Sequence, residues 1–187
     1  MPLLTSVLLV LFTLSSTPFP YIVLFGPKSM GHACAVGDRV VTAHHVMVQN
    51  QDHAYWSNEQ EQHGEAESSV VDLFRDFVTI TLTNGEWVRY LPLAHTVEVG
   101  EKVRWIQFNQ KNENVAMQPE VIESEVIMIL GGHLILKDPP TPGASGSCVV
   151  NAANEVVGLA VWGMAMQNAK GIAGVVDLTK GFAKESE

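Results

Sequence analysis

Short apolar segments separated by turn residues constrain the fold of this chain more than any other feature of its sequence. From Phe77 to Leu82, for example, the side chains alternate between two faces, which is the period of a β-strand. Gly, Asn and Pro separate such segments, and long amphipathic helical periods are missing. The sequence therefore predicts an all-β fold of the barrel type. The predicted strands are Tyr21–Phe25, Ala33–Val36, Arg39–Thr42, Val70–Leu73, Val78–Leu82, Lys102–Gln107, Val115–Pro119, Val121–Leu130, His133–Lys137, Cys148–Asn151, Glu155–Trp162 and Gly171–Asp177.

The segment Thr141–Cys148 has the layout of a serine nucleophile held in a tight loop. Gly143 lets the backbone turn tightly enough to direct amide groups inward, and Gly146 leaves room beside Ser145 for a substrate carbonyl. The apolar residues that follow predict a strand that would hold the loop rigid. Because glycine and serine are common in ordinary turns, the motif indicates a nucleophile only if a base and an acid lie elsewhere in the chain.

A base and an acid are both present upstream of this serine. His44 and His45 follow an apolar strand, and imidazole titrates near neutral pH, as a base that activates a serine must. Asp76 stands at the start of the alternating strand, where its carboxylate would be partly buried and would orient the imidazole. We therefore select His45 and Asp76. The rival base is His44, and the rival acid is Asp72, whose strand context is poorer.

The chain order of His45, Asp76 and Ser145 is that of chymotrypsin-type enzymes, not that of subtilisin or the α/β-hydrolases. The segments that contain these residues resemble the motifs of trypsin/chymotrypsin-like serine peptidases, in particular the compact HtrA-type core and short viral or phage proteases. The resemblance runs from about residue 30 to about residue 178. The segments that carry it are Thr42–Val46, Asp76–Ile80, Leu91–Leu93, Val99–Val103, Pro142–Gly146, Glu155–Leu159 and Gly171–Val176.

This resemblance implies two six-stranded antiparallel Greek-key barrels with the active site in the cleft between them. Residues 20–95 would form the N-terminal barrel, which carries the base and the acid. Residues 96–187 would form the C-terminal barrel, which carries the nucleophile and the oxyanion hole. We expect no PDZ-like regulatory domain to follow the second barrel.

The resemblance also assigns roles to individual residues. His45, Asp76 and Ser145 would form a catalytic triad, and the amides of Gly143 and Ser145 would form the oxyanion hole. The expected activity is that of a serine endopeptidase that works through an acyl-enzyme, with no cofactor and no metal ion. Its partner would be a peptide or protein substrate, with its own precursor polyprotein as one candidate. Two alternatives stay open: a catalytically inactive module that binds peptides, and an esterase that uses the same triad.

Residues near the nucleophile and in a later strand would bind the substrate. Trp162 and Gly163 resemble the strand that pairs with the substrate backbone. Recognition of Lys or Arg at P1, the residue on the acyl side of the cleaved bond, would need a carboxylate in the pocket. Pro139 occupies that place and Asp138 is one position away, so we expect a small or medium apolar P1 residue. The predicted substrate-binding residues are Pro139, Pro140, Thr141, Val161, Trp162 and Gly163.

Two positions depart from the family's pattern. Ala144 stands where digestive trypsin-like enzymes carry an aspartate that pairs with a freshly cut N-terminus, so we expect activity without such processing. Cys148 stands where the family usually has proline. In this fold the strand before the histidine runs near the nucleophile loop. Cys34 and Cys148 therefore either form a disulfide or remain two buried thiols.

Charge argues against a nucleic-acid partner. The chain has 20 acidic and 11 basic residues, a formal net charge of −9, so contacts to phosphates would be unfavourable. Five of the 20 acidic residues lie between Gln51 and Glu67, together with His53 and His63. Because these histidines lack close ligand spacing, the segment predicts a solvated loop between strands rather than a metal site.

Residues 1–19 are predicted to be an apolar leader or N-terminal segment. The run from Leu3 to Leu14 has the length of a signal-peptide core, although no Lys or Arg precedes it. It either acts as a cleaved or anchoring leader or packs on the barrel. Membrane contact is expected only through residues 3–14, and the protein would be secreted or membrane-associated if this segment is a leader and soluble otherwise.

Overall fold

The structure is a computed structural model that describes residues 17–73, 75–109, 118–138, 140, 143–161 and 174–180. Within these ranges the chain forms two closed β-barrels of six antiparallel strands each, which confirms the predicted fold class. None of the helices in these ranges is long and apolar enough to span a membrane. The apolar run from Leu3 to Leu14 lies outside the described residues.

Strands β1–β6 form the first barrel. They are β1 (Ile22–Phe25), β2 (Met30–Val36), β3 (Arg39–Ala43), β4 (His53–Asn58), β5 (His63–Asp72) and β6 (Phe77–Leu82). The strands pair in the order β1-β2-β3-β6-β5-β4, and β4 closes the barrel on β1. A short helix, α1 (His44–Gln49), follows β3 directly, and a 3₁₀-helix spans Gly85–Trp87 after β6.

Strands β7–β12 form the second barrel. They are β7 (Lys102–Asn109), β8 (Gln118–Leu130), β9 (His133–Leu136), β10 (Cys148–Val150), β11 (Val156–Ala160) and β12 (Gly174–Asp177). Their order, β10-β11-β12-β9-β8-β7, repeats the pattern of the first barrel, with β7 paired to β10 at the closure. Each barrel thus has the same topology.

Apolar side chains fill the barrels and also the interface between them. Trp56 in the first barrel and Trp105 in the second are fully buried. The larger of the two apolar clusters joins first-barrel residues to Ile106, Phe108 and Val156 of the second barrel. Burial of each large apolar side chain stabilises the fold by about 1.5–3 kcal/mol. Because one cluster crosses the interface, separation of the barrels would expose part of the core.

The prediction of a solvated loop from Gln51 to Glu67 is wrong. This segment supplies β4 and the first half of β5, which pair in a hairpin with His53 opposite Glu67. Ala54 and Trp56 are buried, and the intervening side chain of Tyr55 is exposed. On β5 the inward position Ala66 is small and the outward positions are acidic. The segment therefore lacks the apolar content by which the other strands were predicted.

Two further differences concern local structure. Helix α1 was not predicted, because its six residues are too few to show a helical period. The predicted strands Val115–Pro119 and Val121–Leu130 meet in one strand, β8, which the structure describes from Gln118 and which has a bulge between Val126 and Met128. Residues 115–117 lie outside the described residues.

The segment between the barrels is held to both of them by backbone hydrogen bonds. The amide of Leu91 donates to the carbonyl of Ala35 at 2.9 Å, and its carbonyl accepts from the amide of Gly37 at 2.9 Å. On the other side, the amide of Val156 donates to the carbonyl of Pro92 at 2.8 Å. The connection is therefore fixed against each barrel and limits movement between them.

A disulfide between Cys34 and Cys148 joins the barrels covalently. Cys34 lies on β2 and Cys148 on β10, with their Cα atoms 4.8 Å apart. Both residues are buried. Of the two alternatives for these cysteines, the structure therefore has the disulfide. Because Cys148 is three residues after Ser145, the disulfide ties the nucleophile loop to the first barrel.

Removal of this disulfide is expected to destabilise the protein strongly. The bond closes a loop with a sequence separation of 114 residues, and a cross-link of this span restricts the unfolded chain by about 4–5 kcal/mol in the chain-entropy treatment. The double variant Cys34→Ala/Cys148→Ala should therefore lose about that much free energy of unfolding in urea titrations. Wild-type protein with the bond reduced serves as the matched control. If the double variant unfolded at the same urea midpoint as the oxidised wild type, this expectation would be contradicted.

Candidate active site

Strand pairing brings His45 and Asp76 together. The last residue of β3, Ala43, pairs with Phe77, the first residue of β6. His45 is two residues after that pair and Asp76 one residue before it, so both lie at the same end of the sheet. Helix α1 begins at His44 and thereby turns the chain so that the ring of His45 faces Asp76. The two side chains remain about one-third exposed.

Asp76 contacts His45 with both of its carboxylate oxygens. Oδ2 lies 2.7 Å from Nδ1 of His45, and Oδ1 accepts the backbone amide of the same residue at 3.1 Å. The carbonyl of Asp76 accepts the amide of His44 at 3.0 Å. A carboxylate beside Nδ1 favours the tautomer that carries its proton there, which leaves Nε2 as an acceptor.

Asp76 adopts a left-handed backbone conformation with φ of 53°. Among residues other than glycine, aspartate and asparagine tolerate this conformation best, because their short polar side chains bond locally. The unusual backbone directs the carboxylate back toward α1. The side chain at this position is thus constrained both by its backbone and by its hydrogen bonds.

Ser145 completes a chain of hydrogen bonds across the two barrels. Its Oγ lies 3.0 Å from Nε2 of His45, although the two residues are 100 positions apart in sequence. The three predicted triad residues therefore converge at the junction of the barrels. In chemical terms, a hydroxyl, an imidazole that can accept its proton and a carboxylate that orients the imidazole stand in line.

The rival residues occupy other positions. Asp72 forms an ion pair with Arg75, with Oδ2 2.8 Å from Nε, and also accepts the backbone amide of Arg75 at 3.1 Å. Its carboxylate is therefore engaged at the turn that precedes Asp76. His44 contributes its backbone amide to the site, while the ring contacts to Asp76 and Ser145 are made by His45.

The loop around the nucleophile is fixed by hydrogen bonds on both sides. The carbonyl of Ser145 accepts the amide of His32 at 2.7 Å, and the amide of Gly146 donates to the carbonyl of Ala160 at 2.7 Å. The hydroxyl of Ser147 donates to the carbonyl of Ile106 at 2.7 Å. These bonds connect the loop to β2, β7 and β11, so the position of Ser145 is set by three strands.

Gly143 and Gly146 have the backbone conformations expected of a tight loop. Their φ angles are 94° and 87°, which glycine adopts readily and other residues rarely do. At Gly146 a side chain would also clash with the carbonyl oxygen of His32. Gly146 is thus required by both backbone conformation and space, and the predicted oxyanion-hole residues Gly143 and Ser145 stand in the same turn.

Only part of the predicted substrate pocket lies within the described residues. Pro140 and Val161 are buried, and the amide of Val161 donates to the carbonyl of Gly174 at 3.3 Å. The remaining predicted positions lie outside the described residues. They are Pro139, Thr141, Trp162 and Gly163.

His32 and Thr42 also contribute to the site and were missed by the sequence analysis. The hydroxyl of Thr42 donates to the carbonyl of His32 at 2.5 Å, and the His32 amide supports Ser145. His32 is buried, and this burial is the main cause that lowers the pKa of its ring to about 4. The nearby Gly143 carbonyl has a smaller effect that raises the pKa. The sequence feature that could have indicated His32 was its place as the one polar residue in β2, a strand of otherwise small and apolar residues.

The lowered pKa of His32 predicts a loss of stability in acid. The unfolded chain takes up a proton near pH 6.5 and the folded chain only near pH 4, so the unfolded state binds more protons between these values. Stability should fall by about 3 kcal/mol as the pH drops from 7 to 4. Urea titrations of the wild type and His32→Phe at several pH values isolate this contribution as the difference between them. If the difference in free energy of unfolding between the two proteins did not vary with pH, the predicted contribution of His32 would be contradicted.

Among the described residues, no group of three or more His, Cys, Asp or Glu side chains is arranged to hold a metal ion. His53 lies 3.8 Å from Glu67, its partner across the β4–β5 hairpin. His63 has its Nδ1 atom 3.1 Å from the carbonyl of Glu61. Both histidines thus have contacts within their own hairpin.

Comparison with known proteins places this geometry in context. A family model described as a trypsin-like peptidase domain matches residues 30–159, which include His45, Asp76 and Ser145. The crystal structure of the serine endoprotease from Yersinia pestis is similar with a TM-score of 0.70 and 15% identity, over 86% of this chain and 59% of that one. The present chain thus spans less than two thirds of that protein, and the likeness is one of fold. No curated protein matches the sequence significantly.

Proposed function

Because the chain belongs to the trypsin-like peptidase domain family, we propose that it is a serine endopeptidase that cleaves peptide bonds in peptide or protein substrates. The observation that carries the proposal is the line of contacts from Ser145 through His45 to Asp76, at 3.0 and 2.7 Å. A serine hydroxyl is a weak nucleophile until a neighbouring base accepts its proton. This arrangement supplies that base and holds it in the required tautomer.

In the proposed reaction, Nε2 of His45 accepts the hydroxyl proton while Oγ of Ser145 attacks the scissile carbonyl. Asp76 stabilises the imidazolium that forms and keeps the ring in place. The imidazolium then protonates the leaving amine, and the acyl group stays on Ser145. A water molecule, deprotonated by His45, attacks the acyl-enzyme and releases the product acid.

We propose that the amides of Gly143 and Ser145 bind the oxyanion that develops during both attacks. One such donor is worth about 3–4 kcal/mol in comparable enzymes, provided that it is already in place. The hydrogen bonds that hold the loop to three strands support this preorganisation. Ala144 is buried in the smaller of the two apolar clusters and carries no charge. In this proposal the loop therefore needs no ion pair with an N-terminus released by processing.

An apolar setting supports a small or medium apolar P1 residue. Ala144, Ala160 and Val175 are fully buried and belong to one apolar cluster beside the nucleophile loop. Pro140 and Val161 are buried as well. In this proposal the substrate lies extended in the cleft between the barrels and pairs with the backbone that follows Val161.

A fluorophosphonate probe followed by a peptide library tests the proposal. The probe should label Ser145 covalently, and mass spectrometry of the digested protein identifies the modified residue. Ser69, an exposed serine on β5, should remain unlabelled and serves as the internal comparison. Cleavage within library peptides, after apolar residues, is the expected result. Absence of labelling favours an inactive peptide-binding module, and labelling with hydrolysis of esters alone favours an esterase.

A further inference from the structure

The hairpin between β8 and β9 ends in a group of exposed apolar side chains. Residues 127–130 are four consecutive apolar residues, and all of them are exposed. Val99 lies beside them, since the amide of the next residue, Gly100, donates to the carbonyl of Val126 at 2.7 Å. We call this group the apolar tip, which consists of Val99, Ile127, Met128, Ile129 and Leu130. A contiguous exposed group of this kind marks a binding surface far more often than a scattered apolar residue does.

The apolar tip stands clear of the barrel on both faces. Successive side chains of a strand point to opposite faces, so a strand in a barrel wall buries at least every second one. Strand β8 follows this rule at Ser124 and Val126, which are buried on either side of the partly exposed Glu125. From residue 127 to residue 130, side chains on both faces are exposed. The end of the strand therefore projects beyond the barrel wall.

A tight turn and one long-range hydrogen bond fix this projection. Leu130 pairs with His133 across a turn of two residues, Gly131 and Gly132, whose φ angles are 58° and 78°. The common tight hairpin turn requires positive values at both positions. The carbonyl of Gly132 accepts the amide of Asp177 on β12 at 2.9 Å. The exposed side chains are thus presented by a hairpin that is paired up to its turn.

Charged groups lie at the base of the hairpin and not at its tip. Residues 126–136 contain no Asp, Glu, Lys or Arg. The one titratable residue among them, His133, has its Nδ1 atom 3.1 Å from the carbonyl of Gly131. At the base, Lys102 forms an ion pair with Glu125, and the chain as a whole has a net charge of −9. The tip can therefore enter an apolar medium without taking a charge out of water, whereas an anionic surface would repel the protein.

The uncharged N-terminal segment enters the fold at the same end of the second barrel. The ring of Phe19 lies 5.9 Å from the guanidinium of Arg104, whose Nη2 donates to Oδ1 of Asn154 at 2.8 Å in the turn between β10 and β11. That turn and the β8–β9 turn lie at one end of the barrel, because β9, β12 and β11 are adjacent antiparallel strands. Residues 1–27 contain no Lys, Arg, His, Asp or Glu, and residues 1–16 precede the described part of the chain. Two uncharged apolar segments are therefore attached to this end of the molecule.

The size and shape of the apolar tip favour a lipid layer over a second copy of the chain. Its side chains are between 36% and 65% exposed, which amounts to roughly a few hundred Å² of surface. A stable interface between proteins buries roughly 800 Å² on each partner. A flat protein partner would also cover one face of the hairpin and leave the other in water, whereas a lipid layer surrounds a projecting hairpin on all sides.

We propose that the apolar tip inserts into the interfacial region of an uncharged lipid bilayer and forms a membrane contact separate from residues 3–14. Insertion removes apolar side chains from water, and the hairpin already pairs the backbone of β8 with that of β9 up to the turn. Ser145 precedes β10 and so lies at the end of the barrel opposite the β10–β11 turn. A protein held by the tip would thus present its nucleophile away from the bilayer. The inference concerns binding alone and does not depend on the proposed peptidase activity.

Sedimentation of the full chain with phosphatidylcholine vesicles tests this proposal. We expect the wild type to sediment with the vesicles and Met128→Glu/Leu130→Glu to lower the partition coefficient about tenfold or more, because two charges would have to enter the apolar layer. The matched control, Val71→Glu/Leu73→Glu, makes the same change of charge at exposed apolar residues of the first barrel. Its binding should stay within about twofold of the wild type, and anionic lipid should not strengthen the binding of any of the proteins.

A fluorescent label reports insertion directly. Both cysteines of the chain are in the disulfide, so Leu130→Cys and Leu73→Cys each add one free thiol for a dye that is sensitive to polarity. Vesicles should shift the emission to the blue for Leu130→Cys and leave it unchanged for Leu73→Cys.

Three results would overturn the inference. They are an unshifted emission for labelled Leu130→Cys, binding of Met128→Glu/Leu130→Glu at the wild-type level, and a wild-type dimer in sedimentation equilibrium that this double variant dissociates. The last result would assign the apolar tip to a second copy of the chain. None of them bears on the labelling of Ser145, so the proposed function stands or falls separately.

Discussion

Replacement of Ser145 by alanine is expected to lower peptide turnover roughly a million-fold, close to the rate left by binding and the oxyanion hole alone. The substitution removes the atom that forms the acyl-enzyme and leaves His45 without a hydroxyl to deprotonate. The fold should be retained, because the backbone bonds of residue 145 to β2 do not involve the side chain. Initial rates with a cleaved library peptide, together with thermal unfolding, measure both effects.

Ser69→Ala is the matched control for this result, since it removes a hydroxyl from an exposed strand of the first barrel. Its turnover should equal that of the wild type. If Ser145→Ala retained more than about a hundredth of wild-type turnover, a different nucleophile would be at work. Loss of labelling in Ser145→Ala together with continued peptide cleavage would lead to the same conclusion.

Asp76→Asn is expected to reduce kcat by about ten-thousand-fold at neutral pH. Asparagine presents an NH₂ group to Nδ1 of His45, so the ring would carry its proton on Nε2 and could no longer accept one from Ser145. The backbone should stay in place, because asparagine also tolerates the left-handed conformation seen at this position. The change therefore tests the tautomer of the imidazole with little change in shape.

The neighbouring variant Asp72→Asn provides the comparison. It weakens the ion pair with Arg75 and leaves the bonds between Asp76 and His45 intact, so kcat should change only a few-fold. Measurement of kcat and KM for both variants separates the two carboxylates. Equal losses for the two, or a loss below tenfold for Asp76→Asn, would remove Asp76 from the proposed mechanism.

Much of the fold could be predicted because its strands obey simple periods. In strand β6, apolar residues alternate with threonines from Val78 to Leu82. The apolar strand β3 ends just before His45, and the apolar strand β10 begins shortly after Ser145. The β4–β5 hairpin was missed because one of its faces is acidic and the other has small residues such as Ala66. In such a strand, burial depends on the partner strand more than on the residue's own hydrophobicity.

The reacting residues of the candidate site could be predicted from the sequence, whereas the residues that hold the nucleophile loop in place could not. His45, Asp76 and Ser145 could be selected because their types and order are tied to one reaction. The contribution of His32 depends on contacts across 113 residues, between β2 and the nucleophile loop, and a single histidine in a strand does not reveal them. The disulfide was left open for the same reason, since pairing depends on distance in space.

Under the proposed peptidase activity, the cross-link between Cys34 and Cys148 has a consequence for the lifetime of the protein, because such an enzyme is exposed to its own cleavage. Any single backbone cut between these two positions leaves both fragments covalently attached. A cut in the stretch between Asn84 and Glu101 would separate the half that carries His45 and Asp76 from the half that carries Ser145, yet neither half could diffuse away. Nicked molecules would run as one band on a gel without reductant and as two with it, and self-digestion would not by itself disperse the cleavage machinery.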